Sequence, residues 1–599
     1  MGNAAAPEPA SVCLMRTEMT MPATVSAPLP PLPPLSAEAN APAPTAQDRS
    51  QWLPATLKWL LLGLLALGLA GPLTFILAQA VLTPSGQWAG MQSFVQLFAN
   101  INFLPMLGRS LWVSAVTAVV TVPLAYVFAY ALQRTCIPFK GLWRGIGLLP
   151  LLAPSLLPGI ALIYLFGNQG LFKEWMDGSI YGFWGILLGE IFYTFPHALM
   201  ILLSALSQAD GRLYDAASAM GASRWRIFAT VTLPATRYGV FGALCLVFTL
   251  TITDFGVPKI TGGAYSVLAV EAYKAVVGQQ QFGRGALIGL LLLVPALLTF
   301  TLDAWLQRRQ RASMSSRSEA YVPRPDWRRD GLNLLAVTLI AAAILMMIVV
   351  AMGASLVKLW PYNLQLTLQH YDFDNMDGGG WLAYWNSLRL ACGTSVAGTL
   401  IIFCGAWLME KTRGQAWLAT LLRMLCFLPM AVPGLVLGLG SLLFFNHPAN
   451  PFNFLYGTMT LLVLCSIVHF YTTAHLTAVT ALKQLDPEFE AASLSLKVPL
   501  LKTFIRVTVP LCLPQLLEIF RYLFVSSMTT VSAVIFLYRP DTVLASVAVL
   551  NMDDAGDVGP AAAMSTLILL TSATASLLMH LGGRRWLARA QAWRRPPAH

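Results

Sequence analysis

The sequence predicts an all-α integral membrane protein of twelve transmembrane helices in two parallel six-helix repeats. Three observations predict it. Charge is too sparse for a water-facing surface, twelve apolar runs have spanning length, and the chain resembles itself at a distance of about 277 residues.

Of 599 residues only 11% are charged and 56% are hydrophobic, with a mean hydropathy of +0.64. Ordinary soluble chains carry roughly 25% charge, because polar groups must cover their outside. A soluble enzyme is excluded. The 8 cysteines contain no CxxC pair, which excludes a disulfide scaffold. Cys245, Cys392, Cys404, Cys465 and Cys512 sit in apolar stretches, where a free thiol acts as a small hydrophobe. The net charge of +11 lies in short clusters rather than in a continuous basic stripe, so nucleic acid is not an expected partner.

Apolar runs of about 20 residues cross a bilayer core as helices. The first six fall near 57–82, 107–132, 142–166, 183–207, 236–256 and 285–306, and the second six near 332–356, 383–408, 417–445, 455–480, 512–535 and 560–581. Prolines inside them, such as Pro150, Pro154, Pro429 and Pro433, are tolerable where neighbouring helices re-satisfy the backbone. One set of connecting loops holds about 26 Lys and Arg and the alternate set about five, so positive-inside orientation puts both termini in the cytoplasm. Asp372, Asp374, Asp377, Asp553, Asp554 and Asp557 fall on the opposite side.

The expected organisation is a Pro/Ala-rich disordered tail over 1–54, a first membrane domain over 55–306 and a basic cytoplasmic linker over 307–331. A second membrane domain over 332–582 and a basic cytoplasmic tail over 583–599 complete it. The first 50 residues carry no basic stretch leading into an apolar one, so they do not read as a signal peptide. They read as a floppy tail, or as a start placed upstream of Met15, Met19 or Met21.

The repeat is carried by three matched pairs. Ser110-Leu111 to Arg134-Thr135 matches Ser387-Leu388 to Lys411-Thr412; Pro150 and Pro154 match Pro429 and Pro433; the segment ending at Pro234 matches the one ending at Pro510. Six spans per copy give both copies one orientation, and their interface is the natural solute pathway.

Between the fourth and fifth spans of the first copy, Leu213, Ala216, Ala217 and Met220 form an apolar stripe at helical spacing. Asp215 is expected in the first turn of that helix and Gly221 at its left-handed end. A second helix presents Arg224, Trp225, Arg226 and Phe228, and Pro234 marks re-entry to the membrane. Asp215, Ala216 and Ala217, then Gly221, then Val231, Leu233 and Pro234 match the EAA–G–I-x-L-P spacing. This resembles the type I ABC importer permeases, the binding-protein-dependent inner-membrane family with the MetI-like fold.

The second copy departs from the pattern. Glu490, Ala491 and Ala492 are followed at the glycine position by Leu496, or by Lys497 if Pro510 is the anchor. One residue reads as inserted, Pro499 reads as interrupting the second helix, and Asp486-Pro487-Glu488 reads as a helix start.

The resemblance implies that both loops dock on two copies of a cytoplasmic ABC ATPase, with a periplasmic solute-binding protein opposite and lipid around. It implies a multi-pass subunit of the bacterial inner membrane. Fused pairs of this kind are typical of ferric-iron and 2-aminoethylphosphonate importers, and the second half resembles the latter over 487–492, 495–499 and 528–538, at Asp541 and over 545–557. A phosphonate is therefore the expected solute, with ferric iron the alternative and an ion-coupled secondary transporter the alternative of another class. The chain has no Gly-Lys pair and hence no phosphate-binding loop, so it is expected to bind no cofactor and to leave ATP to its partner.

Glu190, His197, Asp254, His469, His475, Glu518 and Arg521 fall inside spans, where ionisable groups are costly. Glu518 and Arg521 are spaced to pair on one helix face. The histidines lack acidic partners at ligand spacing, and no metal site is expected. Asp254 and, in the second copy, Thr529, Thr530 and Ser532 are the candidates for lining a pathway; helix–helix hydrogen bonding is the alternative.

Overall fold

The computed structural model describes residues 46–82, 87–88, 90–175, 180–313, 321–412 and 416–590. The expected tail up to residue 45, residues 314–320 of the expected linker and residues 591–599 lie outside the described residues. The chain is nearly all helix. Among the described residues eight unbroken helices are long and apolar enough to cross a membrane, and four more helix pairs are bent at a short break. The twelve expected spans are therefore eight unbroken helices and four broken ones.

The third span of each half is the sharpest departure. Lys140–Leu152 turns by 102° into Leu157–Phe166, and Ala416–Ala431 turns by 115° into Gly434–Phe445. Proline pushes the residue before it out of the helical region. Ala153, before Pro154, is extended at ψ 143, and Val432, before Pro433, at ψ 115. The fourth span of the second half bends by 57° at Phe470. The fifth bends by 76° at Cys512, where Pro514 withholds an N–H two residues on, and ends at Thr529 rather than 535. The first copy has no such second proline, and its fifth span runs unbroken over Arg224–Thr253. The helix from Phe282 continues to Ser313, past the expected linker start, because its charged end is rich in helix-favouring Gln and Arg.

The repeat is visible in individual hydrogen bonds. Ser110 Oγ accepts from Leu268 N at 2.8 Å, and Ser387 Oγ accepts from Ala545 N at 2.8 Å. Both acceptors reach across to the first N–H of a helix that has no side-chain cap of its own. One exchange is compensated: Ser155 fills the space beside Gly256 in the first copy, and Ser532 fills the space beside Gly434 in the second.

Each half is completed by the first helix of the other. Leu53–Val81 packs on the second half, with Leu61 and Leu65 in a core that includes Ile402, Phe403 and Tyr471. Trp59 meets Trp417 edge-on at 5.7 Å, and Phe75 meets Phe444 at 5.1 Å. In return Trp327–Leu356 packs on the first half, with Val337, Ala341 and Ile348 against Phe128, Leu162 and Leu199.

Candidate functional site

The first elbow starts earlier than expected. Asp210 caps the helix Gly211–Ala219 by accepting from Arg212 N at 3.1 Å, which leaves Asp215 in the second turn rather than the first. The apolar stripe divides. Tyr214 and Ala217 face the protein, whereas Leu213, Ala216 and Met220 are exposed. Gly221 closes the helix at φ +71, with Ala222 N donating to Ala217 O at 3.1 Å. Ser223 caps Arg224–Ile227, which carries the exposed Trp225. A π-turn over Phe228–Thr232, including Val231, then leads through Leu233 and Pro234 into the fifth span.

The second elbow keeps this geometry at a constant offset of 276 residues. Lys497 takes the place of Gly221, at φ +55, and Val498 N donates to Ser493 O at 3.0 Å. Pro499 does not interrupt the second helix; it stands where Ser223 stands and begins Leu500–Thr503, where its missing N–H is harmless. The π-turn recurs at Phe504–Thr508 before Pro510. No residue is inserted in the elbow. The Glu490-Ala491-Ala492 letters are displaced by one position, so Glu490 corresponds to Tyr214 and Ala491 to Asp215. Asp486 accepts from Glu488 N at 3.0 Å, as a helix start should. Phe489, Leu496 and Leu501 are exposed.

A basic residue at the end of the second span holds each elbow. Arg134, 3% exposed, donates to Leu206 O at 2.6 Å and lies between the rings of Tyr214 and Tyr321, at 4.9 and 4.8 Å. Lys411 Nζ pairs with Glu490 Oε1 at 2.7 Å. Among the described residues the interdomain segment docks on the first elbow. Besides Tyr321, Cys136 Sγ donates to Pro323 O at 3.4 Å, and Arg324 approaches Asp215 at 4.0 Å. Asp326 pairs with Arg224, and the Arg329 N–H with the Arg224 guanidinium holds its carboxyl below the usual range. Sequence reasoning missed Arg134, Lys411 and Tyr321. The matched Arg134-Thr135 and Lys411-Thr412 were the available signal.

On the opposite face the two halves meet through Lys259 Nζ and Asp554 Oδ1 at 2.7 Å. Burial, then the neighbouring Asp554 charge, pushes the Asp553 carboxyl up to about 6, with Lys259 opposing. A carboxyl raised by folding favours the folded state below its unfolded pKa and loses that favour as pH rises through the folded value. Melting temperature in detergent should therefore fall as pH rises from about 4 to about 6, and Asp553→Asn should flatten that part of the profile. An unchanged profile in the variant would remove Asp553 from the account.

The intramembrane candidates separate into two groups. Asp254 Oδ2 accepts from Val257 N at 2.9 Å and faces Glu190. Thr530 stands at the corresponding position of the second copy, its carbonyl accepting from Ser546 Oγ, and Ser532 lies by His469 and Gly434. Thr529 bonds back to Val525 O at 3.0 Å within its own helix. Glu518 and Arg521 pair at 3.8 Å, as their spacing predicts. Among the described residues no group of three or more His, Cys, Asp or Glu is placed to hold a metal ion.

The fold and its two elbows define a duplicated, polytopic membrane component with one matched elbow in each copy. The chain belongs to the family described as binding-protein-dependent transport system inner membrane component, whose profile matches it twice, over residues 121–312 and 394–587. The ferric transport system permease protein FbpB of Actinobacillus pleuropneumoniae is 26% identical, over 81% of this chain and 72% of that protein. The thiamine transport system permease protein ThiP of Salmonella typhimurium is 24% identical, over 65% and 72%. The molybdenum transport system permease protein ModB of Haemophilus influenzae is 30% identical, over 34% of this chain and 93% of that protein, so about one copy here corresponds to that whole subunit.

Proposed function

We propose that the chain is the translocating subunit of an ATP-driven importer in a bacterial inner membrane, with both termini cytoplasmic. A periplasmic binding protein delivers the solute to the face that carries Lys259 and Asp554. Two ATPase subunits grip the elbows, and their closure rocks the halves between inward- and outward-facing states. The observation that carries this reading is the pair of elbows, each a helix closed by a left-handed residue with exposed apolar side chains beside it. The duplicated family match argues against an ion-coupled secondary transporter.

For the solute, the relatives favour ferric iron over a phosphonate, because a permease named for ferric transport aligns with both halves of the chain. The phosphonate-like stretches support that choice of solute weakly on physical grounds. Residues 533–537 and 543–550 are almost wholly buried, so their similarity reflects packing. A titration of the cognate binding protein with ferric iron and with 2-aminoethylphosphonate decides between the two. Ferric binding, with ATP-dependent uptake in vesicles, is expected. Selective phosphonate binding would restore the other solute, and uptake driven by an ion gradient without ATP would overturn the importer reading.

A further inference from the structure

Many hydroxyls inside the spans bond back to their own helix; among the described buried side chains without a partner, Glu190 alone is a carboxyl. Its side chain is fully buried on Phe183–Ser207, and among the described residues neither carboxyl oxygen has a hydrogen-bond partner of ordinary geometry. The groups acting on it are Asp254 and Thr251, neither of them cationic. The Thr251 hydroxyl, on a residue 3% exposed, is likewise buried without a partner and directed at the same carboxyl. Tyr193 follows one turn after Glu190, within electrostatic range of both carboxyls and of Tyr522 from the second half. That places the cluster beside the junction of the halves.

Two adjacent carboxylates in a low-dielectric interior cannot both stay ionised without a compensating positive charge. The second half has no such demand. Its fourth span, Met459–Lys483, corresponds residue for residue with Phe183–Ser207, and there Ser466 replaces Glu190 and His469 replaces Tyr193. Thr530 replaces Asp254.

We propose that Glu190, Asp254 and Tyr193 form a one-sided transit site for the transported metal cation. The proposal rests on the ferric reading above. Two carboxylates and a phenol are hard oxygen donors, suited to a small, highly charged cation rather than to a soft one. Three ligands are also too few to hold such an ion permanently, and a conducting site must release what it binds.

The test uses the full chain reconstituted with its ATPase and binding protein, and terbium(III) as a hard-cation probe whose emission is sensitised by nearby tyrosine. Glu190→Gln and Asp254→Asn keep shape, and Glu190→Ser and Asp254→Thr copy the second half. Wild type should bind terbium in competition with ferric iron, and each variant should bind at least tenfold more weakly. Iron uptake should fall at least tenfold while stimulation of ATP hydrolysis by the loaded binding protein is retained. Glu518→Gln, which removes a carboxylate from another span, should leave terbium binding unchanged. Wild-type uptake and terbium binding in the variants would overturn the site while leaving the ferric reading intact. A cognate binding protein that ignores ferric iron would overturn both.

Discussion

Replacing Leu213 and Met220 together with aspartate should reduce capture of the ATPase to what the second elbow alone supports and cut uptake by on the order of 100-fold or more, without unfolding the permease. The two side chains are 53% and 80% exposed, so the folded chain loses little packing when they change. In a complex each would bury apolar surface, worth about 1.5–3 kcal/mol per side chain, and a charge there would have to be desolvated as well. Tyr214→Ala on the same helix is the contrast, because Tyr214 is 5% exposed and its loss should lower thermal stability. Pull-down of the ATPase and melting in detergent separate the two effects. Full capture by the double variant would sink the assignment of this edge as the docking surface.

Arg134→Ala should destabilise the first elbow by about 3 kcal/mol, since it removes a charged hydrogen bond and two ring contacts in a buried setting. Lys411→Ala should cost the second elbow less, about 1 kcal/mol, because Glu490 is 41% exposed and water screens the pair. Trypsin cleavage at Arg212 and Arg226 should accelerate in the first variant, and cleavage at Lys497 modestly in the second. Exchanging Lys411→Glu with Glu490→Lys should restore the second elbow. Equal sensitivity of the two elbows would contradict the asymmetry described.

Sparse charge, apolar run length and the repeat were legible because each is a property of local sequence. The broken spans were not, although every proline was visible. Whether Pro154 is absorbed or breaks the helix depends on whether Ala153 can turn extended in its surroundings. The second elbow misled for a similar reason. The left-handed position favours glycine, yet Lys497 occupies it in an exposed turn that hydrogen bonds over-determine. Asp215 was placed one turn early because Asp210 was overlooked as the cap. The interdomain segment was legible only as a basic linker, whereas Tyr321 and Asp326 give part of it a fixed seat. The Glu190–Asp254 contact joins two helices that only tertiary packing brings together.

The crossing of first helices between halves sets an order on synthesis. Leu65 and Leu69, both fully buried in the finished protein, face surfaces that include Tyr471 and Val468. The third span of the second half, which supplies Phe444, ends at Phe445, roughly 360 residues after Val81; at roughly 5–20 residues per second the first helix waits on the order of 20–70 s for its partner. Throughout that interval the face that meets Phe444, Val468 and Tyr471 must be kept by lipid or by the insertion machinery, since within the first repeat the helix packs chiefly on the one from Phe282. A ribosome that stalls after the first repeat leaves behind a half whose first helix has little but the helix from Phe282 to pack on and whose own core still lacks Val337 and Ala341.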